Sequence, residues 1–160
     1  MPTSQLDTVR RFVEEFQSGH DIDVARQLIA NDCIDRTPFA PFTPDREGVM
    51  DLFSMLFVAF PDLHVEIHDL MEAGDKVVTR KTFHGTHQGD FMGVAPTGRA
   101  VSWDVIDIVR LRDGQMVEHW NSVDALGLLT QLGALPLSPE ETLGSTQLAQ
   151  RPNGDVDRSV

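Results

Sequence analysis

The sequence is short of positive charge. Its 160 residues carry 13 Lys and Arg against 25 Asp and Glu, a formal net charge of −12. Nucleic acid and anionic membranes are held through clustered Lys and Arg, so this balance argues against both as partners. Cysteine is nearly absent: Cys33 stands alone, which rules out an internal disulfide and suits a reducing, cytoplasmic setting. No apolar run approaches the roughly 20 residues needed to cross a bilayer. The opening "MPTSQLDTVRRF" has no apolar signal-peptide core. Also missing are a phosphate-binding glycine motif, a serine nucleophile elbow and a dinucleotide fingerprint.

What is there suits one domain. Hydrophobic residues make up 41% and charged residues 24%, and a chain of this length can build a core without metals or disulfides. "SQLDTVRRFVEEFQS" (4–18) predicts a helix, with Leu6, Val9, Phe12, Val13 and Phe16 at helical spacing, Ser4 as N-cap and Gly19 as stop. A second helix is expected at about 22–30 and a third at 46–60, ended by Pro61. Between them "NDCIDRTPFAPFTPD" holds three prolines and reads as a loop. From Leu63 the period changes to that of strands. Two strands meet at Gly74–Asp75, and two longer ones at Asp113–Gly114, a strong hairpin signal. "ALGLLTQLG" (125–133) closes with a short helix. From Pro136 the periodicity is lost, so residues 1–135 are expected to form the domain and 136–160 a mobile tail. Helices followed by an antiparallel meander give an α+β fold, with helices covering one face of a sheet and a pocket between them.

The hairpin restricts which residues meet. With a plain two-residue turn, Asp107 faces Trp120 and Trp103 faces Asp124. A one-residue bulge would put Asp107 opposite Asn121, and the sequence leaves both registers open. Asp107 lies in "VIDIVRL" among Val105, Val109 and Leu111. A carboxylate on an apolar face is expected to have a raised pKa, which suits an acid or base near neutral pH. The connection 83–101, with four glycines and a proline, suits a loop across a cavity mouth. His87 on it could donate to a substrate carbonyl. His84 and His87 form a His-x-x-His pair without a third ligand, so no metal is expected. His84, Phe91, Met92, Trp103, His119 and Trp120 are candidates for substrate contact, the two tryptophans suiting a flat polycyclic or otherwise apolar ligand. His64 and His68 share a strand without forming a site, and Cys33 reads as a small buried residue.

"GTHQGDFMGVAPTGRAV", "DIVRLRDGQMVEHW" and "DALGLLTQLG" together resemble the SnoaL-like polyketide cyclases, a group with the cone fold of nuclear transport factor two, over about residues 5–135. The resemblance implies a cone of four to six strands backed by three helices. It implies an intramolecular aldol ring closure on a methyl ester without metal or organic cofactor, and a homodimer or homotetramer. It also implies an Asp as acid/base, an assisting His and a loop His. Carried over, the Asp falls on Asn121, the assisting His on Asp107 and the loop His on His87. Asn cannot exchange a proton at neutral pH. Three arrangements follow. Asp107 takes over as base, with Asn121 and His87 polarising a carbonyl; a different register brings Asp124 or Glu118 into the pocket; or the pocket binds ligands without closing a ring.

Overall fold

The computed structural model describes residues 3–135; the expected tail, 136–160, lies outside the described residues. Helix α1 (Gln5–Arg11) starts where the Ser4 hydroxyl accepts the Asp7 N–H at 3.1 Å. It runs on without a break as a π-helical segment, Phe12–Ser18. Helix α2 (Ile22–Leu28) is capped by Asp21, which accepts the N–H groups of Asp23 and Val24. Helix α3 (Arg46–Ala59) is capped by Asp45 and stops just before Pro61. Each cap satisfies amides that have no partner inside their own helix.

The stretch expected to be a loop contains a strand, β1 (Ile29–Asp35). Asn and Asp are poor strand formers, yet tertiary pairing decides here: β1 runs parallel to the strand carrying His119, with Asp35 opposite His119. Cys33 and Asp35 turn inward while Ile34 stays exposed. The sheet is therefore mixed, not purely antiparallel. β2 (His64–Ala73), β3 (Lys76–Thr86), β4 (Ala100–Arg112) and β5 (Gln115–Val123) form the expected meander, and the order across the sheet is β1-β5-β4-β3-β2. Helix α4 (Ala125–Gln131) closes the described chain, capped by Asp124 on the Gly127 N–H at 2.9 Å.

The inner face of β4 is Val101, Trp103, Val105, Asp107, Val109 and Leu111, all buried. Against it pack Phe12, Phe16, Phe53, Leu56 and Phe60 from the helical layer. Burying each such side chain stabilises by about 1.5–3 kcal/mol. Phe60 just beyond α3 is fully buried and touches the rings of His87, Phe91 and Trp103.

The turn at Asp113–Gly114 has φ of 52° and 76°, the left-handed pair that matches strand twist in a two-residue hairpin. Beyond it Arg112 pairs with Gln115 and Leu111 with Met116, but Arg110 pairs with Glu118. Val117 is thus an extra residue, a bulge. It puts Asp107 opposite Asn121 and not Trp120. Because side chains alternate, the bulge turns His119 and Asn121 inward and Glu118 and Trp120 outward.

Candidate active site

A cavity opens between the helical layer and the concave face of the sheet. Its wall is apolar apart from Gln17, Asp35, Thr37, Thr79, Lys81, Asp107, His119 and Asn121. Most of these polar groups are joined. The Lys81 ammonium is paired with Asp107 Oδ2 and donates to Gln17 Oε1 at 2.9 Å. His119 Nε2 lies 2.9 Å from Asp107 Oδ1, and its Nδ1 lies 3.1 Å from Asp35 Oδ1. Asp35 Oδ1 also accepts the Thr37 N–H at 2.9 Å, and the Thr37 hydroxyl accepts the Asn121 N–H at 2.9 Å. The result is a line of alternating charge, Lys81–Asp107–His119–Asp35, that crosses the inner wall from β3 through β4 and β5 to the edge strand β1.

The geometry fixes the proton on His119. Both ring nitrogens face carboxylates, which only accept, so both nitrogens must donate. Burial would lower the imidazole pKa, but the hydrogen bonds and charges of Asp107 and Asp35 raise it to about 9. The same contacts overturn the expectation for Asp107. Burial does push that carboxyl up, as its apolar neighbours suggest, yet Lys81 and His119 outweigh burial and hold it well below the usual carboxylate range. Asp35 is likewise held low, burial being offset by His119 and the Thr37 groups. At neutral pH the site therefore holds two carboxylates, one imidazolium and one ammonium. Cys33 also lines the cavity, but burial and nearby carboxylates push its thiol up to about 11, far from a working nucleophile.

Of the residues singled out from sequence, Asp107, Asn121, His119, Trp103, Phe91 and Met92 line this cavity. The others stand elsewhere. Trp120 is on the outer face, between the side chains of Lys76 and Arg110. Glu118, on the same face, pairs with Arg36 at 2.8 Å and Arg110 at 3.3 Å. His84 stacks on His64 and approaches Glu66 on the outer face. Asp124 is occupied as the α4 cap. His87 is fully buried within the 87–99 loop and does not line the cavity. Its Nδ1 accepts from the Thr97 N–H at 3.2 Å, and its backbone carbonyl accepts from the Gly98 N–H at 2.8 Å. His87 thus pins the loop that carries Phe91 and Met92. Its replacement by alanine should cost about 2–4 kcal/mol of stability, because a ring and a buried acceptor are lost. At temperatures where the variant is folded, kcat/KM should stay within a factor of about three; a loss above a hundredfold in the folded variant would return His87 to the chemistry.

Sequence reasoning missed Lys81, Gln17, Asp35 and Thr37. A signal for Lys81 was present: in "KVVTRKTF" it shares the strand phase of Val77, Thr79 and Phe83, all inward. Asp35 and Thr37 were hidden by the loop reading of their segment, and Gln17 by its place outside the apolar stripe of its helix.

Residues 7–132 match the family model of the SnoaL-like polyketide cyclases. Aklanonic acid methyl ester cyclase DnrD of Streptomyces peucetius is 29% identical over 143 residues, covering 86% of this chain and 97% of that protein. The corresponding cyclase DauD of Streptomyces sp. (strain C5) is 31% identical over 139 residues, covering 85% and 86%. Among solved structures, wild-type IdmH from Streptomyces antibioticus is 37% identical with a TM-score of 0.72, covering 82% of this chain and 99% of that one. AclR from Streptomyces galilaeus, described as a candidate hydroxylase, is 31% identical with a TM-score of 0.77 and covers 88% of each chain.

Proposed function

The chain belongs to the SnoaL-like polyketide cyclase family, and on that premise we propose that it closes a ring in a hydrophobic polyketide-type ester by intramolecular aldol addition, with Asp107 and His119 moving the protons. The observation that carries this reading is the carboxylate–imidazolium contact of 2.9 Å on the wall of an apolar cavity. Asp107 is ionised and can take the acidic proton between two substrate carbonyls. His119 is protonated and can give one to the alkoxide that forms when the new carbon–carbon bond closes. The proton on Asp107 then passes to His119 along their hydrogen bond, and the site is reset. No atom is gained or lost, so the product is an isomer of the substrate. A proton flanked by two carbonyls is acidic enough that the reaction asks for no metal or organic cofactor. Asp35 and Thr37 hold the imidazole in place, and the Asn121 amide can hydrogen-bond a substrate oxygen.

The test is incubation of the purified protein with aklanonic acid methyl ester, the substrate class named for its relatives. Enzyme-dependent conversion to an isomer of equal mass is the expected result. The pH profile of kcat/KM checks the roles. The active form needs the imidazolium, so the rate should hold level through neutral pH and fall as pH rises through about 9. Asp107 and Asp35 stay ionised below the ordinary carboxylate range, so no acidic limb should show near neutrality. A rate that instead rises between about pH 6 and 7, as for a neutral imidazole base, would overturn the assignment. One observation favours a second reading, a binding protein: Asn121 stands where the resemblance places the family acid. Recovery of the ester unchanged after long incubation would support that reading instead.

A further inference from the structure

Lys81 is an unusual residue to bury. It is 2% exposed on the inner face of β3, between Thr79 and Phe83. Desolvating an ammonium costs several kcal/mol unless its partners are well placed. A methionine or leucine would fill the same strand position without that cost. Its hydrogen-bond partners among the described residues are Asp107 and Gln17, its Nζ also lies 5.4 Å from the centroid of the Phe83 ring, and an ammonium has three N–H donors. One N–H therefore remains for the cavity that Lys81 lines.

Gln17 is as unusual. It is 3% exposed and lies on the π-helical segment, where Phe12, Val13, Phe16 and Gln17 are all buried. A π-helical turn is wider than an α-helical one and recurs at functional sites. Here it brings an amide to the cavity wall from the helical layer, opposite the sheet. Lys81 is thus held from two sides, by a carboxylate of β4 and by a neutral amide of the helical layer. A neutral acceptor can keep an ammonium in place without neutralising it.

We propose that Lys81 is a catalytic residue whose ammonium turns from Asp107 to the substrate oxygen on which enolate charge develops, with Gln17 as the positioning residue that keeps it within reach. This rests on the acid/base reading above and supplies what that reading lacks. A carboxylate bridged by two cations is a poor base. When Lys81 moves to the carbonyl oxygen, Asp107 loses one of the two cations that hold it ionised, and its proton affinity rises. The same move stabilises the enolate. Asp107 then takes the C–H proton, the C–H electron pair passes into the enolate, and the charge rests on oxygen beside an ammonium that keeps all its protons. Substrate binding and base activation become one event.

The experiment uses Lys81→Met, which keeps length without charge, and Gln17→Leu, which keeps the ammonium without its neutral acceptor. With aklanonic acid methyl ester, K81M should lose about 10²–10³ in kcat with KM little changed, and Q17L about tenfold in kcat, again with KM little changed. A readout without turnover uses 4-nitrophenol, whose neutral and anionic forms absorb differently and whose anion mimics an enolate oxygen. Bound to wild type its pKa should lie about one unit or more below that in K81M, with Q17L between. Turnover by K81M within about threefold of wild type would overturn the proposal while leaving the cyclase reading intact. A Lys81-dependent shift of bound nitrophenol without any turnover by wild type would sink the cyclase reading and keep the oxyanion site. If K81M does not fold, Q17L decides: an unchanged kcat and an unchanged bound-probe pKa in that variant overturn the proposal.

Discussion

Asp107→Asn is expected to lower kcat by about 10²–10⁴-fold, the usual range for a proton-transfer group. The amide keeps the size of the carboxyl and can still accept a hydrogen bond, but it cannot take a proton. Two further effects follow from its neighbours. The Lys81 ammonium loses its one described anionic partner, and His119 keeps only Asp35. Breaking one side of a buried ion pair costs about 3–5 kcal/mol, so the variant should also be less stable, and lost activity alone would not be decisive. The double variant Asp107→Asn with Lys81→Met separates the two effects. With both charges gone, the stability deficit should shrink, while activity stays as low as in the single variant. Denaturation curves and single-turnover rates at one pH measure both. Recovery of activity along with stability would show that Asp107 matters for folding and not for the proton.

Phe60→Ala is expected to cost about 3–5 kcal/mol of stability. Phe60 is fully buried, its ring centroid 5.3 Å from Trp103, 5.4 Å from Phe91 and 5.6 Å from His87. It joins the end of α3, the 87–99 loop and the inner wall of β4. The rings of Trp103, Phe91 and His87 around it belong to separately anchored elements, so the space left is not easily closed, and a cavity that persists costs more than one that is filled. Denaturant unfolding should show a lower midpoint with an unchanged slope. The carboxylate–imidazolium contact lies on β4 and β5, away from Phe60, so the pH profile of the folded variant should keep its shape.

Much of this architecture is legible in the chain because its signals are local. The helix caps at Ser4 and Asp124, the stop before Pro61 and the turn at Asp113–Gly114 need only neighbouring residues. The inward alternation of β4 can be read directly from "VSWDVIDIVRL". The site is harder to read because its signals are not local. Asp35 meets His119 only through a parallel pairing across 84 positions, and the Asn and Asp residues of "IANDCID" disfavour a strand. Lys81 finds Gln17 across 64 positions. Asp107 was identifiable as a lone acid among apolar neighbours, but the direction of its pKa shift was not. That direction depends on which cations the fold brings to it, and the apolar context alone points the other way.

The Val117 bulge has a consequence for how such a protein can change. Along a pleated strand parity is binary, and β5 carries two complete sets of side chains. One is His119 and Asn121; the other is Glu118 and Trp120. The extra residue selects which set faces the cavity. Were the same full-length strand paired without the bulge, the register would slip by one and exchange the whole wall, replacing an imidazole and an amide by a carboxylate and an indole, with no side chain rewritten. The strand thus stores a second wall on its outer face, one register slip away from the cavity.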